Sequence, residues 1–512
     1  MIIYLISGIV LSTQVGISHD EMHEEQNWTY NKDLVRNFFN NNKTDPHYVD
    51  KYYGIGFQII SQPFQYFIKK VIPYFVEVDT YGAKLISKHP MVFVFYFVSG
   101  LFFLKILHKV TNNASYSFLG TTIYLIYPYL LGHSFFNPKD IPFLSIWLIC
   151  TFLSCSIFEF YIKNNKLLLV HTFSLAFLTA FLLSIRISGI LIFIQYFISL
   201  IIFFNQTKLS LKKFLNIFFV KLLFFVFCFF FIILLFYPVF WSNPLDIINA
   251  TKFFGKFYHD VCTLTLGKCV KAQNIDSLYI PIWFLFKLPT IVLIGILLIP
   301  ISEKKIFKNY NNNIYFGTIL SSAFLIPLIL IFNKVPMYDE VRQVLFLTPL
   351  LFLLGLISLY YLSKKISFIL VFTFLIFFTY ENFKIFPYQY TWFNLPARFL
   401  DIGKNFETEY WGISGKELSK KIISENKNNN KNICILVTPD DLVRPFLSIH
   451  NFNCFYPWGV IDSNLKRPFW AVQNIRNLKK SIPYKCKIIY QEKIKLTFYK
   501  KDLVAGNLLE CS

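Results

Sequence analysis

The residues best placed for chemistry are two adjacent carboxylates, Asp20 and Glu21. They follow residues 1–17, an apolar segment without a charged side chain. Because a carboxylate is costly inside hydrocarbon, the pair is expected at a membrane surface or in a water-filled cavity. A partly desolvated carboxylate there can act as a general base that removes a proton from an acceptor hydroxyl. The alternative is a solvated flank that stops the first helix from sliding inward.

A metal site is a second interpretation of this cluster, because His19, His23, Glu24 and Glu25 surround the pair. Imidazole and carboxylate groups are common ligands of divalent cations. The spacing is not diagnostic, so neither a metal ligand nor a cofactor is assigned. A divalent metal stays an open alternative.

Two segments between apolar runs contain further cations. Lys139 and Asp140 are adjacent in the loop 137–142, and Arg186 interrupts the apolar stretch 167–204. A guanidinium at the membrane surface can bind a lipid phosphate in a forked geometry. Simple snorkelling of Arg186 to lipid headgroups is the alternative.

The segment 338–343 combines two acids, Asp339 and Glu340, with Arg342 just before an apolar run. A structural ion pair is the default expectation for such a segment. If it lies on the same membrane face as Asp20, Arg342 is also a candidate ligand for an anionic substrate.

The composition is that of an integral membrane protein. The 512 residues are 55% hydrophobic and 15% charged, with 62 Phe and a mean hydropathy of +0.48, and long apolar runs recur. The formal charge of +21 does not indicate a nucleic-acid partner, since many lysines lie in short loops between apolar runs, where they orient helices.

Eleven membrane spans are predicted. They lie near residues 1–17, 90–107, 115–132, 141–162, 167–184, 187–204, 215–240, 281–301, 314–332, 344–362 and 366–382. The first lacks a positively charged start and a typical cleavage site, which favours a retained signal-anchor over a signal peptide.

The lysines predict the orientation of these spans. The short loops on one side carry Lys105, Lys109, Lys163, Lys166, Lys208, Lys212, Lys213, Lys304, Lys305, Lys308, Lys364 and Lys365, against the single acid Glu303. The positive-inside rule makes this side cytoplasmic, with the N-terminus inside and the C-terminus outside. All the segments described above then lie on the outer face.

Two domains are predicted. Residues 1–383 form the transmembrane domain, with outer loops at about 18–88 and 241–280, and the first loop is expected to carry amphipathic surface helices. Residues 384–512 form a small outer α/β domain, with a helix at 416–425 and strands at 433–437, 487–490 and 495–499.

The cysteines fit an oxidising compartment for the outer parts. Cys150, Cys155 and Cys228 fall in spans and are interpreted as packing residues. Six others lie outside the spans, and Cys262 with Cys269 is the simplest disulfide pair among them.

The order of several motifs resembles one enzyme family. After the acidic pair come His-Ser-Phe-Phe-Asn-Pro-Lys-Asp at 133–140, Ser-Ile-Arg-Ile-Ser-Gly at 184–189, Tyr-Pro-Val-Phe-Trp-Ser-Asn-Pro at 237–244 and Tyr-Asp-Glu-Val-Arg-Gln at 338–343. Pro-Tyr-Gln-Tyr-Thr-Trp-Phe-Asn at 387–394 and Glu-Tyr-Trp-Gly-Ile-Ser at 409–414 follow. The set resembles the protein O-mannosyltransferase and aminoarabinose transferase group of GT-C glycosyltransferases over most of residues 1–415.

The resemblance implies a GT-C-like fold and an enzyme that moves a sugar, with inversion, from a polyprenyl-phosphate donor to an acceptor on the outer membrane face. The implied acceptor is a lipid, a glycan or a protein, and the implied location is a bacterial inner membrane. By position, Asp20 corresponds to the catalytic carboxylate, with Glu21 beside it. The remaining implied roles are donor-phosphate ligands, Arg186, Arg342 and Lys139, and supporting residues, Asp140, Asp339 and Glu340. The flanking His19 and Glu24-Glu25 depart from the pattern and leave open which carboxylate is the base.

The main rival from another class is a secondary transporter or lipid flippase. Transporters place ionisable residues near the bilayer midplane and often contain internal repeats. Here the ionisable residues lie at span ends on one side, no repeat is evident and a folded tail follows, which favours the enzyme. An inactive scaffold of the same fold is a third possibility.

Overall fold

The computed structural model describes residues 1–40, 48, 50–207, 209–255, 261–308, 310–427, 433–458, 467–474 and 485–511. In the described residues, eighteen α-helices precede the tail. In chain order they are α1 (Ile2–Thr13), α2 (His19–Phe39), α3 (Gly56–Val71), α4 (Thr80–Ile86), α5 (His89–Thr111), α6 (Ala114–Leu125), α7 (Pro128–Ser134), α8 (Asp140–Asn164), α9 (Leu169–Ile185), α10 (Ile192–Thr207), α11 (Leu211–Phe236), α12 (Asp246–Gly255), α13 (Tyr279–Lys287), α14 (Thr290–Leu297), α15 (Ile299–Ile306), α16 (Tyr310–Phe332), α17 (Thr348–Leu362) and α18 (Lys364–Ile385).

Each predicted span falls on helical segments. Within the described residues, seven helical segments are long and apolar enough to cross a membrane, and α1 and α9 are shorter apolar helices. The predicted spans 115–132 and 281–301 are broken, because Pro128, Pro289 and Pro300 stand at the starts of α7, α14 and α15. The protein is an α-helical polytopic membrane protein, as predicted.

The apolar helices differ in how much of their surface the protein covers. In the most apolar stretch of the segment Arg342–Leu362, which contains α17, 94% of the residues are buried. In the corresponding stretch of α11, only 22% are buried. The uncovered side of α11 presents large apolar side chains, including Phe219, Phe227 and Phe231. Since lipid is the apolar medium available to them, α11 lies at the periphery of the bundle and α17 at its centre.

A buried acid joins three helices at one end of the bundle. Glu159, near the end of α8, pairs with Lys109 of α5 at 2.8 Å and with Lys163 at 2.7 Å. It also accepts a hydrogen bond from Tyr315 near the start of α16 (2.9 Å). The lysine-rich loops after α5 and α8 therefore meet, as the predicted alternation of spans requires. The orientation of this end toward the cytoplasm stays a prediction from the lysine distribution.

The first long loop contains helices α2, α3 and α4. Helix α3 buries a polar face, in which Gln65 donates to Ser61 (2.6 Å) and Gln58 donates to Gln65 (3.1 Å). Its exposed face carries Phe64 and Phe67. The helix is thus amphipathic with its apolar face outward, which suits the boundary between water and lipid.

The second long loop contains α12 and a hairpin of β1 (Cys262–Thr265) and β2 (Lys268–Lys271). A disulfide joins Cys262 to Cys269 across this hairpin, which confirms the predicted pairing. Cys150, Cys155 and Cys228 are free and buried, also as predicted.

The tail folds around a five-stranded sheet. Its helices are α19 (Ile402–Asn405), α20 (Gly415–Lys427) and α21 (Arg444–Leu447), and its strands are β3 (Cys434–Leu436), β4 (Phe455–Tyr456), β5 (Phe469–Asn474), β6 (Cys486–Ile494) and β7 (Leu503–Cys511). The strand order is β4-β3-β5-β7-β6, with β3 parallel to β4 and β5, and β7 antiparallel to β5 and β6. Leu418 and Ile422 of α20 pack on this sheet, and disulfides join Cys434 to Cys454 and Cys486 to Cys511.

The tail is therefore the small α/β unit that was predicted, although its start at residue 384 stays a prediction. The helix at 416–425 and the strands at 433–437 and 487–490 are confirmed within one to a few residues. The strand at 495–499 is wrong. There the chain leaves the sheet, and the Thr497 amide donates to Glu381 of α18 (3.0 Å), which ties the tail to the membrane helices.

Candidate active site

A cavity of about 520 Å³ opens at the end of α8 opposite Glu159. Its wall comes mainly from the start of α2, residues 50–54, Lys139, residues 185–191 and residues 330–346. All four segments that the sequence singled out therefore meet here. They meet because each stands at the same end of a membrane helix.

Helix α2 begins in a way that separates the roles of the two predicted catalytic acids. Ser18 is the N-cap and Glu21 the third residue, and together they form a capping box. Glu21 accepts from the Ser18 amide (2.7 Å), and its other oxygen lies 3.0 Å from Nε2 of His89. Glu21 is fully buried and is absent from the cavity wall.

Asp20 points the other way. Its side chain is 31% exposed, lines the cavity and forms an ion pair with the Nη2 atom of Arg342. A carboxylate that solvent still reaches, fixed on the first turn of a capped helix, has the accessibility that a general base needs.

Arg342 is the centre of the charged cluster. Besides Asp20, its Nη1 donates to Asp339 (3.1 Å) and its Nε lies 3.6 Å from Asp140. The guanidinium also stacks 4.4 Å from the Trp411 ring centroid. The Arg342 side chain is only 5% exposed, and the three acids offset the cost of burying its charge. Together with the Trp411 ring they hold the guanidinium in one orientation.

Asp140 links the two arginines. Its Oδ1 atom pairs with Nη2 of Arg186 at 2.8 Å, and its Oδ2 atom accepts from the Asn137 side chain at 2.9 Å while facing Arg342. Arg186 lines the cavity, whereas Asp140 lies behind it. The supporting role predicted for Asp140 fits this buried position.

Lys139 also lines the cavity. It pairs with Glu24 at 2.5 Å, and its ammonium lies 4.1 Å from the Tyr53 ring centroid. Lys139 and Arg186 each pair with a carboxylate, Glu24 and Asp140, so the difference between them is geometric: only the guanidinium offers a planar fork to an oxyanion.

Of the two acids in the segment 338–343, one lines the cavity and the other lies in the core. Asp339 and Glu340 both have positive φ, +54° and +66°, which are unfavourable for residues with a Cβ. Asp339 lines the cavity, while Glu340 is fully buried beneath it and pairs with Lys287 at 2.9 Å. Burial raises the pKa of Glu340 to about 7, against the opposing effect of Lys287.

Several wall residues were missed by sequence reasoning. Tyr53 and Tyr338 line the cavity near Asp20, and burial raises the pKa of both phenols, so both are protonated donors at neutral pH. Asp50 also lines the cavity. Tyr338 was visible in its motif, but nothing in the sequence distinguished Tyr53 or Asp50 from other loop residues.

The wall also has an apolar part. It is formed by Ile187, Leu191, Leu330, Val335, Met337 and Phe346. The cavity therefore joins a charged rim to a hydrocarbon-like surface, which is the combination that an amphiphilic ligand requires.

The described part of the structure shows no arrangement of ligands that supports the metal interpretation. The rings of His19 and His23 stack with centroids 5.9 Å apart. Among the described residues, no group of three or more His, Cys, Asp or Glu side chains is arranged to hold a metal ion.

Comparison with known proteins gives little at the level of sequence. No family model matches the chain, and no curated protein matches it. Among solved structures it is similar to the crystal structure of ArnT from Cupriavidus metallidurans in the apo state, with a TM-score of 0.45 and 10% identity. That similarity covers 90% of this chain and 92% of the other.

Proposed function

We propose that this protein is a GT-C-type membrane glycosyltransferase that transfers a sugar, with inversion, from a polyprenyl-phosphate donor to an acceptor at the outer membrane face. The observation that carries the proposal is the composition of the cavity. A part-exposed carboxylate, Asp20, faces two arginines at the mouth of an apolar pocket, at one end of the membrane helices. The motif order that resembles this family points the same way.

Arg186 and Arg342 are the proposed ligands of the donor phosphate. A planar guanidinium can hold two phosphate oxygens at once, and both arginines reach the cavity. The apolar wall would receive the first isoprene units of the donor. Lys139 is proposed as a weaker contact because its ammonium, unlike a guanidinium, cannot hold two phosphate oxygens in a fork.

Asp20 is the proposed base. It takes the proton from the acceptor nucleophile as that atom bonds to the anomeric carbon. The bond between this carbon and the phosphate oxygen breaks, and its electron pair leaves with the phosphate. Fixed arginines stabilise the charge that grows on the leaving phosphate more than the charge of the bound donor.

Glu21 is proposed as a positioning residue, since both of its oxygens are engaged by the Ser18 amide and His89. Asp140 and Asp339 are proposed to orient the arginines, and Glu340 to anchor the strained turn from below. The acceptor class, the sugar, the outward orientation and the bacterial inner membrane belong to the same proposal.

The test is reconstitution. Purified protein in vesicles is supplied with a series of labelled polyprenyl-phosphate sugars and candidate acceptors. Asp20→Asn is compared with Asp33→Asn, which changes an exposed acid of the same helix. We expect wild-type transfer, a loss of about 10²- to 10⁴-fold in Asp20→Asn, and no loss in Asp33→Asn.

Unchanged transfer by Asp20→Asn would contradict the assignment of the base. Absence of transfer from every lipid-linked donor, together with substrate flux across the vesicles, would instead establish the rival transporter or flippase.

A further inference from the structure

A second cavity, separate from the candidate active site, lies where α1 meets the tail. It has a volume of about 160 Å³ and is lined by Gln14, residues 75–77, and Lys416, Lys420, Ile423, Phe446 and His450 of the tail. It contains none of the residues proposed for sugar transfer. Three basic side chains, Lys416, Lys420 and His450, and one exposed acid, Glu77, line this space.

Lys416 is the informative residue of this cavity. Lys416 is only 5% exposed, and its ammonium donates a hydrogen bond to the Gln14 carbonyl at 2.6 Å. An ammonium can donate three hydrogen bonds. Among the described residues, the Gln14 carbonyl is the one acceptor that the Lys416 ammonium has. No carboxylate of the described chain lies within ion-pair distance of it. A buried ammonium without a carboxylate is costly, and an anion in the adjoining space would offset that cost.

The other charges of the cavity do not supply this anion. Lys420 pairs with Glu417 at 2.8 Å, and Glu77 lies 3.6 Å from His450 while 85% of its side chain is exposed. Lys416 also stands in the first turn of α20, where the helix dipole disfavours a cation. Burial and the nearby Lys420 lower the pKa of Lys416 to about 8, against the opposing effect of Glu417.

The cavity lies at the end of α1, which exposes apolar side chains. Gln14 follows α1 directly, and Ile3, Val10 and Gln14 share one face of that helix by their spacing. Ile3 is 81% exposed and Val10 40%. An exposed apolar stripe on a membrane helix therefore leads straight to the buried ammonium.

The neighbouring surface has the character of a membrane interface. Tyr74 is 87% exposed and Phe75, which lines the cavity, is 48% exposed. Aromatic side chains of this kind concentrate at the headgroup level of bilayers. Phe64 and Phe67 of α3, the helix that precedes this segment in the chain, are also exposed.

We propose that this cavity binds the phosphate of a membrane phospholipid, whose acyl chains lie along the exposed face of α1. Lys416 donates to the phosphate from inside the cavity, and Lys420 adds a second positive charge at its mouth. The bound lipid joins α1, the α3–α4 connection and the tail. The site is independent of the proposed sugar transfer.

The experiment measures lipid binding to delipidated protein in detergent by native mass spectrometry. Short-chain phosphatidylethanolamine and phosphatidylglycerol are titrated, with inorganic phosphate as a separate competitor. We expect one phospholipid per protein, an affinity about tenfold lower in Lys416→Gln/Lys420→Gln, and no change in Lys421→Gln. Lys421 is the matched control because it lies on the same helix and also pairs with an acid, Glu425, but does not line the cavity.

The single variant Lys420→Gln gives a test that does not depend on correct folding of the double variant, since the Lys420 side chain is 61% exposed. It should fold normally and weaken lipid binding by a few-fold. Equal lipid affinity in all variants would overturn the proposal. So would full displacement of the lipid by inorganic phosphate at equal concentration, which would indicate a small-anion site without a lipid preference.

Discussion

Arg342 and Asp20 form an ion pair although 322 positions separate them in the sequence. The same guanidinium contacts Asp339 and Asp140. In the proposed reaction, Asp20 must be free to accept a proton while Arg342 binds the donor phosphate. The phosphate therefore competes with the Asp20 carboxylate for Arg342, and donor binding releases the base.

This competition predicts that Asp20→Asn binds polyprenyl phosphate more tightly than the wild type while losing transfer. The amide carries no charge, so the phosphate no longer displaces a carboxylate from Arg342. We expect an affinity increase of about tenfold, the equivalent of one charge-assisted contact. Binding is measured by titration of detergent-solubilised protein, with Asp33→Asn as control. An affinity equal to or weaker than the wild type would contradict the exchange.

The two arginines are predicted to differ in what their loss does. Arg186→Gln leaves Asp140 in contact with Arg342 and Asn137, so we expect a folded protein whose kcat/KM falls by about 10²- to 10³-fold. Arg342→Gln leaves three acids without their shared cation, and should also destabilise the fold by about 3–5 kcal/mol.

The measurements for this pair are steady-state transfer and the thermal unfolding midpoint of each variant in detergent. Lys139→Gln is the comparison, because an ammonium lacks the planar fork of a guanidinium, and its effect on transfer should be smaller than that of Arg186→Gln. A larger effect of Lys139→Gln would reverse the proposed ranking of the phosphate ligands.

Two glycines are predicted to position Arg186. A Cβ added at Gly54 would lie 2.1 Å from the Ser184 carbonyl oxygen, and one at Gly56 would lie 1.9 Å from the Ser184 hydroxyl oxygen. Either contact must push the end of α9, and Arg186 with it, out of place. Alanine at either position should raise the KM for the donor more than it lowers kcat.

Rescue distinguishes this positioning role from general damage. Ser184→Gly removes the hydroxyl that the Cβ of Gly56→Ala would meet, so it should restore part of the donor affinity of that variant. The Cβ of Gly54→Ala would meet the backbone carbonyl of residue 184, so Ser184→Gly should leave that variant impaired. Gly403→Ala is the neutral control, since its Cβ would meet only Leu503 at 3.9 Å. Equal rescue of both alanine variants would contradict the geometry.

Much of the site could be predicted from the sequence because charged residues cannot lie in lipid. Alternating spans and the lysine distribution assign Asp20, Arg186 and Arg342 to one end of the bundle, and the structure places them together. The pairing among them was not predictable, since span ends fix a membrane face but not which side chains touch across it.

Other features were readable but missed. Ser18 and Glu21 have the spacing of a capping box, which assigns Glu21 to the helix start rather than to the cavity. Lys287 is an ionisable residue inside the predicted span 281–301, and such residues call for a partner, here Glu340. The predicted strand at 495–499 failed for a tertiary reason, because that segment bonds to α18.

The final prediction concerns the pH dependence of stability through Glu409. This carboxyl is fully buried in the tail, between α19 and α20, and accepts a hydrogen bond from Tyr390 at 2.6 Å. Burial raises its pKa from 4.5 to about 7. The folded protein therefore holds this proton where the unfolded chain has released it. Its contribution to stability is complete below about pH 4.5 and is lost as pH rises through about 7.

Glu409→Gln is neutral at every pH and removes this loss. Relative to the wild type, the variant should gain roughly 3 kcal/mol in unfolding free energy between pH 4.5 and pH 8, since a tenfold change in proton affinity corresponds to about 1.4 kcal/mol. Thermal unfolding in detergent at several pH values measures the difference, with the surface variant Glu425→Gln as control. Some dependence remains in the variant because Glu340 has the same upward pKa shift. Parallel pH curves for Glu409→Gln and the wild type would show that Glu409 is ionised in the folded protein throughout this range.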